Sequence, residues 1–131
     1  MRKLATIQKI DRIETVPGAD KIEIAHIQGY KVMVEKGQFK EGDTCVFFEV
    51  DSILPPRPEY AFMEKHSYRV KIMKSNRLGI VSQGLAIPTK DITFKVSGEY
   101  IPLDSIANTF PQTNYEGLIG YDLTGTLGIT K

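Results

Sequence analysis

Along the first ninety residues, apolar and polar positions alternate in short runs that glycine- or proline-containing turns separate. In LATIQKIDRIE, Ile7, Ile10 and Ile13 supply β-branched bulk among polar neighbours, which predicts a strand with a bulge. Pro17-Gly18-Ala19-Asp20 stands directly before Ile22 and Ile24. Proline fixes φ and glycine permits a positive one, so this is a turn entering a strand. Gln28-Gly29 separates that strand from YKVMVEKG, where Tyr30, Val32 and Val34 share one face and Lys31, Met33 and Glu35 the other. The pair reads as a hairpin. After a second turn at Lys40-Glu41-Gly42-Asp43, Thr44 to Val50 is apolar on both faces, the pattern of a central strand covered on both sides. Pro55, Pro56 and Pro58 then stop regular structure, leaving 52–66 as a connection with a short helix around Glu59 to Lys65. YRVKIMK and GIVSQGLAIP predict two further strands flanking a turn from Ser75 to Gly79. Beyond residue 89 the pattern weakens, with one possible extra hairpin at ITFKV.

Five or six short strands, tight turns and one short helical element define an all-β protein with a short helix. Closing such a sheet on itself removes exposed edges, and a small five-stranded Greek-key barrel of the OB type with a C-terminal extension fits the count. A chain of 131 residues fits one domain with a single core, and 41% hydrophobic and 25% charged residues are ordinary for a globular protein.

Charge changes the picture more than composition does. The formal net charge is only +1, yet Arg57 to Arg77 holds six lysines or arginines against two glutamates. With Tyr68 to Lys74 as a strand, Tyr68, Val70 and Ile72 share one face and Arg69, Lys71 and Met73 the other, while Lys74 and Arg77 follow at the turn. A barrel strand needs a wet face, and cations there discourage edge pairing. An indifferent solvated face would carry both signs, however, so the local excess points to a polyanion met by a patch. Arg69, Lys71, Lys74 and Arg77 are the leading nucleic-acid contacts, with Lys31, Lys65 and Gln83 as weaker ones. Tyr30, Tyr60, Phe62 and Tyr68 are candidate stacking platforms for bases, Tyr30 and Tyr68 being as well suited to the core. Gly79 and Gly84 within GIVSQGL suggest a bulge or a close backbone approach, beside which Gln83 is more simply an outward polar residue than a phosphate donor. Glu49 and Asp51 are carboxylates two residues apart, and without a third acidic or histidine partner they read as a strand end feeding a turn.

Other chemistries find little support. Cys45 lies in an apolar run and reads as a core thiol, and two histidines with one cysteine give no zinc spacing, so no metal site is expected. There is no Gly-rich phosphate loop, no serine nucleophile elbow and no Lys-x-Asp-Gly adenylation signature, so no catalytic residue is assigned and this chain alone is expected to catalyse nothing. The first residues lack the apolar run of a signal peptide or a membrane span, which makes the expected location cytoplasmic, without a membrane.

Residues 1–55, 68–88 and 120–131, ending in GYDLTGTLGITK, resemble in that order the amino-terminal module of ATP-dependent RNA ligases that carry an OB domain ahead of the nucleotidyltransferase domain. PGADKIEIAHI and GIVSQGL are more distantly similar to OB-type tRNA-binding modules. The resemblance implies an OB-fold domain over 1–119, with an insertion-like segment at 89–119, and a linker at 120–131 toward a nucleotidyltransferase domain. It implies RNA ends or nicks as ligand, positioned for joining of a 5′-phosphate to a 3′-hydroxyl by that other domain. ATP and a divalent metal would then belong to the catalytic domain, leaving no cofactor in this chain. Two other readings are a protein-docking module for the catalytic domain and a tRNA-binding OB domain.

Overall fold

The computed structural model describes residues 3–96, 98–104 and 118–131. Strands β1 (Ala5–Lys9), β5 (Thr44–Phe48) and β8 (Leu85–Pro88) form one antiparallel sheet in the order β1-β5-β8. A second sheet takes β2 (Arg12–Thr15), β3 (Ile22–Ile27) and β4 (Tyr30–Glu35) in chain order. Two hairpins complete the described strands, β6 (Met73–Ser75) with β7 (Ile80–Ser82) and β9 (Thr93–Val96) with β10 (Glu99–Pro102).

The bulged strand expected at the start is two strands joined at a corner. Ile10 exchanges backbone hydrogen bonds with the β4–β5 turn, donating to the Asp43 carbonyl at 2.8 Å and accepting from the Gly42 N–H at 2.9 Å. The next N–H, of Asp11, donates to the His26 carbonyl at 2.8 Å. One residue thus moves the chain from the first sheet to the second. Turn chemistry then sets the second sheet's register. The Ala19 N–H donates to the Val16 carbonyl at 3.1 Å around Pro17 and Gly18, whose φ of 82° is what the third position of a type II turn requires. Gln28 and Gly29, at φ 49° and 83°, close the β3–β4 hairpin as a two-residue turn whose twist matches its strands.

Strand β5 is covered on both faces, as its unbroken apolar run predicts. Cys45 and Phe47 face the space between the two sheets, packed with Ile10, Ala25, Ile27, Val32, Val34, Phe39 and Ala86. Val46 and Phe48 face the other way, into a second core with Leu54, Tyr60, Met63, Val70 and Ile87. Cys45 is fully buried, and that burial pushes its thiol up to about 12. A thiol reagent such as DTNB should leave it unlabelled in the folded protein and label it once at the rate of unfolding. Labelling at the rate of a free thiol would contradict its place in the core.

The second core is completed by segments whose sequence pattern is weak. ITFKV does form the expected extra hairpin, β9 with β10, and Ile92, Phe94 and Leu103 enter the core. The insertion expected at 89–119 lies outside the described residues between 105 and 117. Residues 120–131, expected as a linker, are laid along the open edge of β1. The Ile7 N–H donates to the Tyr121 carbonyl at 3.1 Å, the Gly120 N–H to the Ile7 carbonyl at 2.6 Å and the Leu123 N–H to the Ala5 carbonyl at 2.8 Å. Leu123, Leu127 and Ile129, around the one-turn helix α1 (Thr124–Leu127), are buried. Two needs coincide here: an exposed strand edge finds partners, and three apolar side chains find a core. The Thr124 hydroxyl oxygen also accepts the N–H groups of Leu4 and Ala5 at 2.9 and 3.2 Å, while donating to Asp122 at 2.5 Å. That hydroxyl and the Thr124 N–H, which donates to the same Asp122 oxygen at 2.9 Å, hold the Asp122 carboxyl below its usual range.

Candidate nucleic-acid interface

The connection from β5 to β8 carries most of the cations, and its local geometry decides where they point. Pro58–His66 is a 3-10 helix, with proline placed where a missing N–H costs nothing. At three residues per turn, side chains three apart eclipse one another. Tyr60 and Met63 are buried in the core, Ala61 and Glu64 face solvent, and Glu59, Phe62 and Lys65 form a third stripe. The helix ends in two successive left-handed residues, Ser67 at φ 55° and Tyr68 at φ 60°, and the Tyr68 N–H donates to the Met63 carbonyl at 2.9 Å.

Residues 68–72 are therefore not the strand that alternation predicts. The segment pairs briefly with 51–54, the Val70 N–H donating to the Ser52 carbonyl at 2.8 Å and the Leu54 N–H to the Tyr68 carbonyl at 2.8 Å, with a single bridge between Ile53 and Arg69. It then leaves to join β7, where regular pairing begins only at Met73. Val70 is buried as expected, but Ile72 falls at the crossing between partners and is exposed.

A groove of about 810 Å³ opens between this connection and the β4 and β8 strands. Phe62, Lys65, His66, Arg69, Lys71 and Met73 line it from the connection, Met33 and Val34 from β4, and Leu85, Ala86, Ile87 and Pro88 from β8. Glu35, at the end of β4, and Asp91, after β8, add carboxylates from the opposite elements. The structure thus brings Lys65, Arg69 and Lys71 to one groove. Lys74 and Arg77 are exposed on the β6–β7 hairpin beyond it. Lys31 and Gln83 are exposed beside one another, the Gln83 N–H donating to the Lys31 carbonyl at 2.9 Å. Together with the Met33 N–H donating to the Ser82 hydroxyl at 2.9 Å, this bond ties the hairpin to the edge of β4. Among the described residues, none of these six cations makes an ion pair.

Arg57 differs. Its guanidinium pairs with Glu59 at 2.9 Å, donates to the Thr93 carbonyl at 3.3 Å and lies 3.9 Å from the centroid of the Tyr100 ring. Its side chain is 17% exposed. It fastens the 3-10 helix to the β9–β10 hairpin, so the local excess counted from sequence includes one cation spent internally.

The stacking candidates also separate. Tyr60 is fully buried, and burial raises its hydroxyl's pKa; Tyr68 packs against the second core; Tyr30 stacks on Phe47 with ring centroids 5.3 Å apart. Only Phe62 offers an open ring to the groove, 51% exposed. His66 also lines the groove. A three-residue period in the helix would have pointed to Phe62 and Lys65 together, whereas no sequence signal marks the left-handed pair that turns Arg69 inward. Asp51 lies in a turn at φ 77°, and among the described residues no three His, Cys, Asp or Glu side chains are grouped to hold a metal ion. No helix among the described residues is long and apolar enough to cross a membrane.

Strands β1 with β2, β3, β4, β5 and β8 correspond in chain order to the five strands of an OB fold, and a family model of the OB-fold domain matches residues 4–89. The chain belongs to the OB-fold domain family. Among solved structures it is similar to the RNA ligase of Naegleria gruberi. It shares 32% identity and a TM-score of 0.68 with a mutant form holding AMP and Mn, covering 99% of this chain and 35% of that one. With the same ligase holding PPi the identity is 32% and the TM-score 0.68, covering 100% and 35%. With a mutant holding ATP and Mn they are 32% and 0.67, covering 98% and 35%. The chain therefore spans about a third of that ligase, and is consistent with an OB module of such an enzyme. No curated protein matches it.

Proposed function

We propose that this chain is the RNA-binding OB domain of an ATP-dependent RNA ligase, holding RNA ends or nicks while a nucleotidyltransferase domain of the same polypeptide joins a 5′-phosphate to a 3′-hydroxyl. The observation that carries the reading is the groove with Lys65, Arg69 and Lys71 on one wall, unmatched by acids in ion pairs among the described residues. In OB folds the second and third strands and the loop between the fourth and fifth receive oligonucleotides. Here β3 and β4 are the second and third strands, and the β5–β8 connection, which bears Lys65, Arg69, Lys71, Lys74 and Arg77, is that loop. ATP and its divalent metal act in the other domain, and the cations here position phosphates without reading sequence.

Arg69→Ala with Lys71→Ala tests it. Each phosphate contact releases condensed counterions, so removing two should weaken binding to a nicked RNA duplex and flatten the slope of log affinity against log salt by about 1.5. Thermal stability should stay unchanged. Equal affinity and slope for variant and wild type would overturn the reading.

A further inference from the structure

The cationic wall accounts for a phosphate grip, but not for the apolar floor beneath it. We infer that the groove seats one unpaired ribonucleotide, its base laid on the Phe62 ring and its phosphate held by Lys65 and Arg69. The inference rests on the proposed RNA-binding role and narrows its ligand to a splayed nucleotide at an end or gap.

Three observations support it. Phe62 and Lys65 lie on one stripe of the 3-10 helix, so they are about 6 Å apart along its axis, roughly the separation of a nucleotide's base from its own phosphate. Arg69 lines the same wall directly after Ser67 and Tyr68, both in left-handed backbone, a costly conformation for residues with side chains. Strain of this kind clusters at ligand clamps. Finally, Met33, Leu85 and the exposed Met73 give the groove an apolar surface, and about 810 Å³ lies within the range of small-ligand sites. An intact A-form duplex presents sugars and phosphates outward and cannot fill such a floor. Single-stranded RNA can, since its unstacked bases lie readily on aromatic rings.

The test uses a single-stranded oligoribonucleotide, a series of the same oligonucleotide with one abasic position each, and a blunt RNA duplex. Phe62→Ala should bind the single strand about tenfold more weakly with an unchanged salt slope. Wild type should lose about as much on one abasic oligonucleotide, and Phe62→Ala should lose nothing further there. Blunt-duplex binding should not change. The chain has no tryptophan, so Phe62→Trp places a lone fluorophore in the groove, and the single strand should quench it while affinity is kept. If Phe62→Ala binds the single strand like wild type, or loses single strand and duplex equally, base capture is wrong. The Arg69→Ala and Lys71→Ala pair, measured alongside, would still report on the phosphate grip, so failure of the inference and failure of the RNA-binding reading are separable.

Discussion

Gly84→Ala should lose about 2–5 kcal/mol of folding stability, the largest effect expected of a methyl group added at any of the described glycines. Gly84 sits between β7 and β8 at φ 110°. A Cβ there would stand 2.6 and 2.8 Å from the Phe47 ring and 2.9 Å from the Phe48 carbonyl oxygen. Neither neighbour has room to yield. The Phe47 ring is buried between the two sheets and stacked on Tyr30, and Phe48 belongs to the strand register that pairs it with Leu85. Relief would require β8 to part from β5, the strand that serves both cores. Gly29→Ala is the matched control: its φ of 83° carries similar backbone strain, but nothing lies within 4 Å, so about 1 kcal/mol is expected. Urea unfolding of both variants should show a much lower midpoint for Gly84→Ala with little change in m. Equal losses would mean that the close approach has no energetic weight.

The legibility of Gly84 contrasts with that of the groove beside it. A glycine inside an apolar strand announces close approach because few other roles suit it there, and the two-faced run from Thr44 to Val50 announces burial because water tolerates neither face. Both signals are local. Pro17-Gly18 and Gln28-Gly29 are local too, each dictating its turn by which backbone angles its residues allow. The groove depends on matters no short window contains. Ser67 and Tyr68 are ordinary residues held in left-handed conformation by bonds to the preceding helix and by the pairing of 68–70 with 51–54. Alternation from Tyr68 to Lys74 predicted a strand because Arg69 and Lys71 do lie apart from Val70; it failed at Ile72, where the chain changes partners. At the other end of the chain, Thr124 meets the N–H groups of Leu4 and Ala5 across some 120 residues, and no periodicity foretells that. Among the cations, sequence could count charge but not pairing.

That distinction between paired and unpaired cations gives the second large effect. Arg57→Ala should destabilise the fold by about 3–5 kcal/mol, because it strands Glu59 with its charge poorly solvated. The Glu59 side chain is only 11% exposed, and its Oε2 accepts from Arg57 at 2.9 Å, from the Thr93 hydroxyl at 2.5 Å and from the Thr93 N–H at 3.3 Å. Thr93 alone cannot neutralise a carboxylate, and the Tyr100 ring would lose the cation over its face. Replacing both ionic partners, Arg57→Met with Glu59→Leu, should return most of the lost stability, since no uncompensated charge is left. Chemical denaturation of the two singles and the double forms a cycle whose coupling should exceed about 1 kcal/mol; additive losses would mean that the pair is not a unit. The same variants separate two meanings of positive charge. Below its melting range, Arg57→Ala should leave the salt slope of RNA binding where wild type has it, whereas Arg69→Ala with Lys71→Ala should flatten that slope and leave stability alone. A cation already paired with Glu59 does not neutralise a phosphate and so displaces no condensed counterion from the RNA. One that lines the groove without an acid partner does.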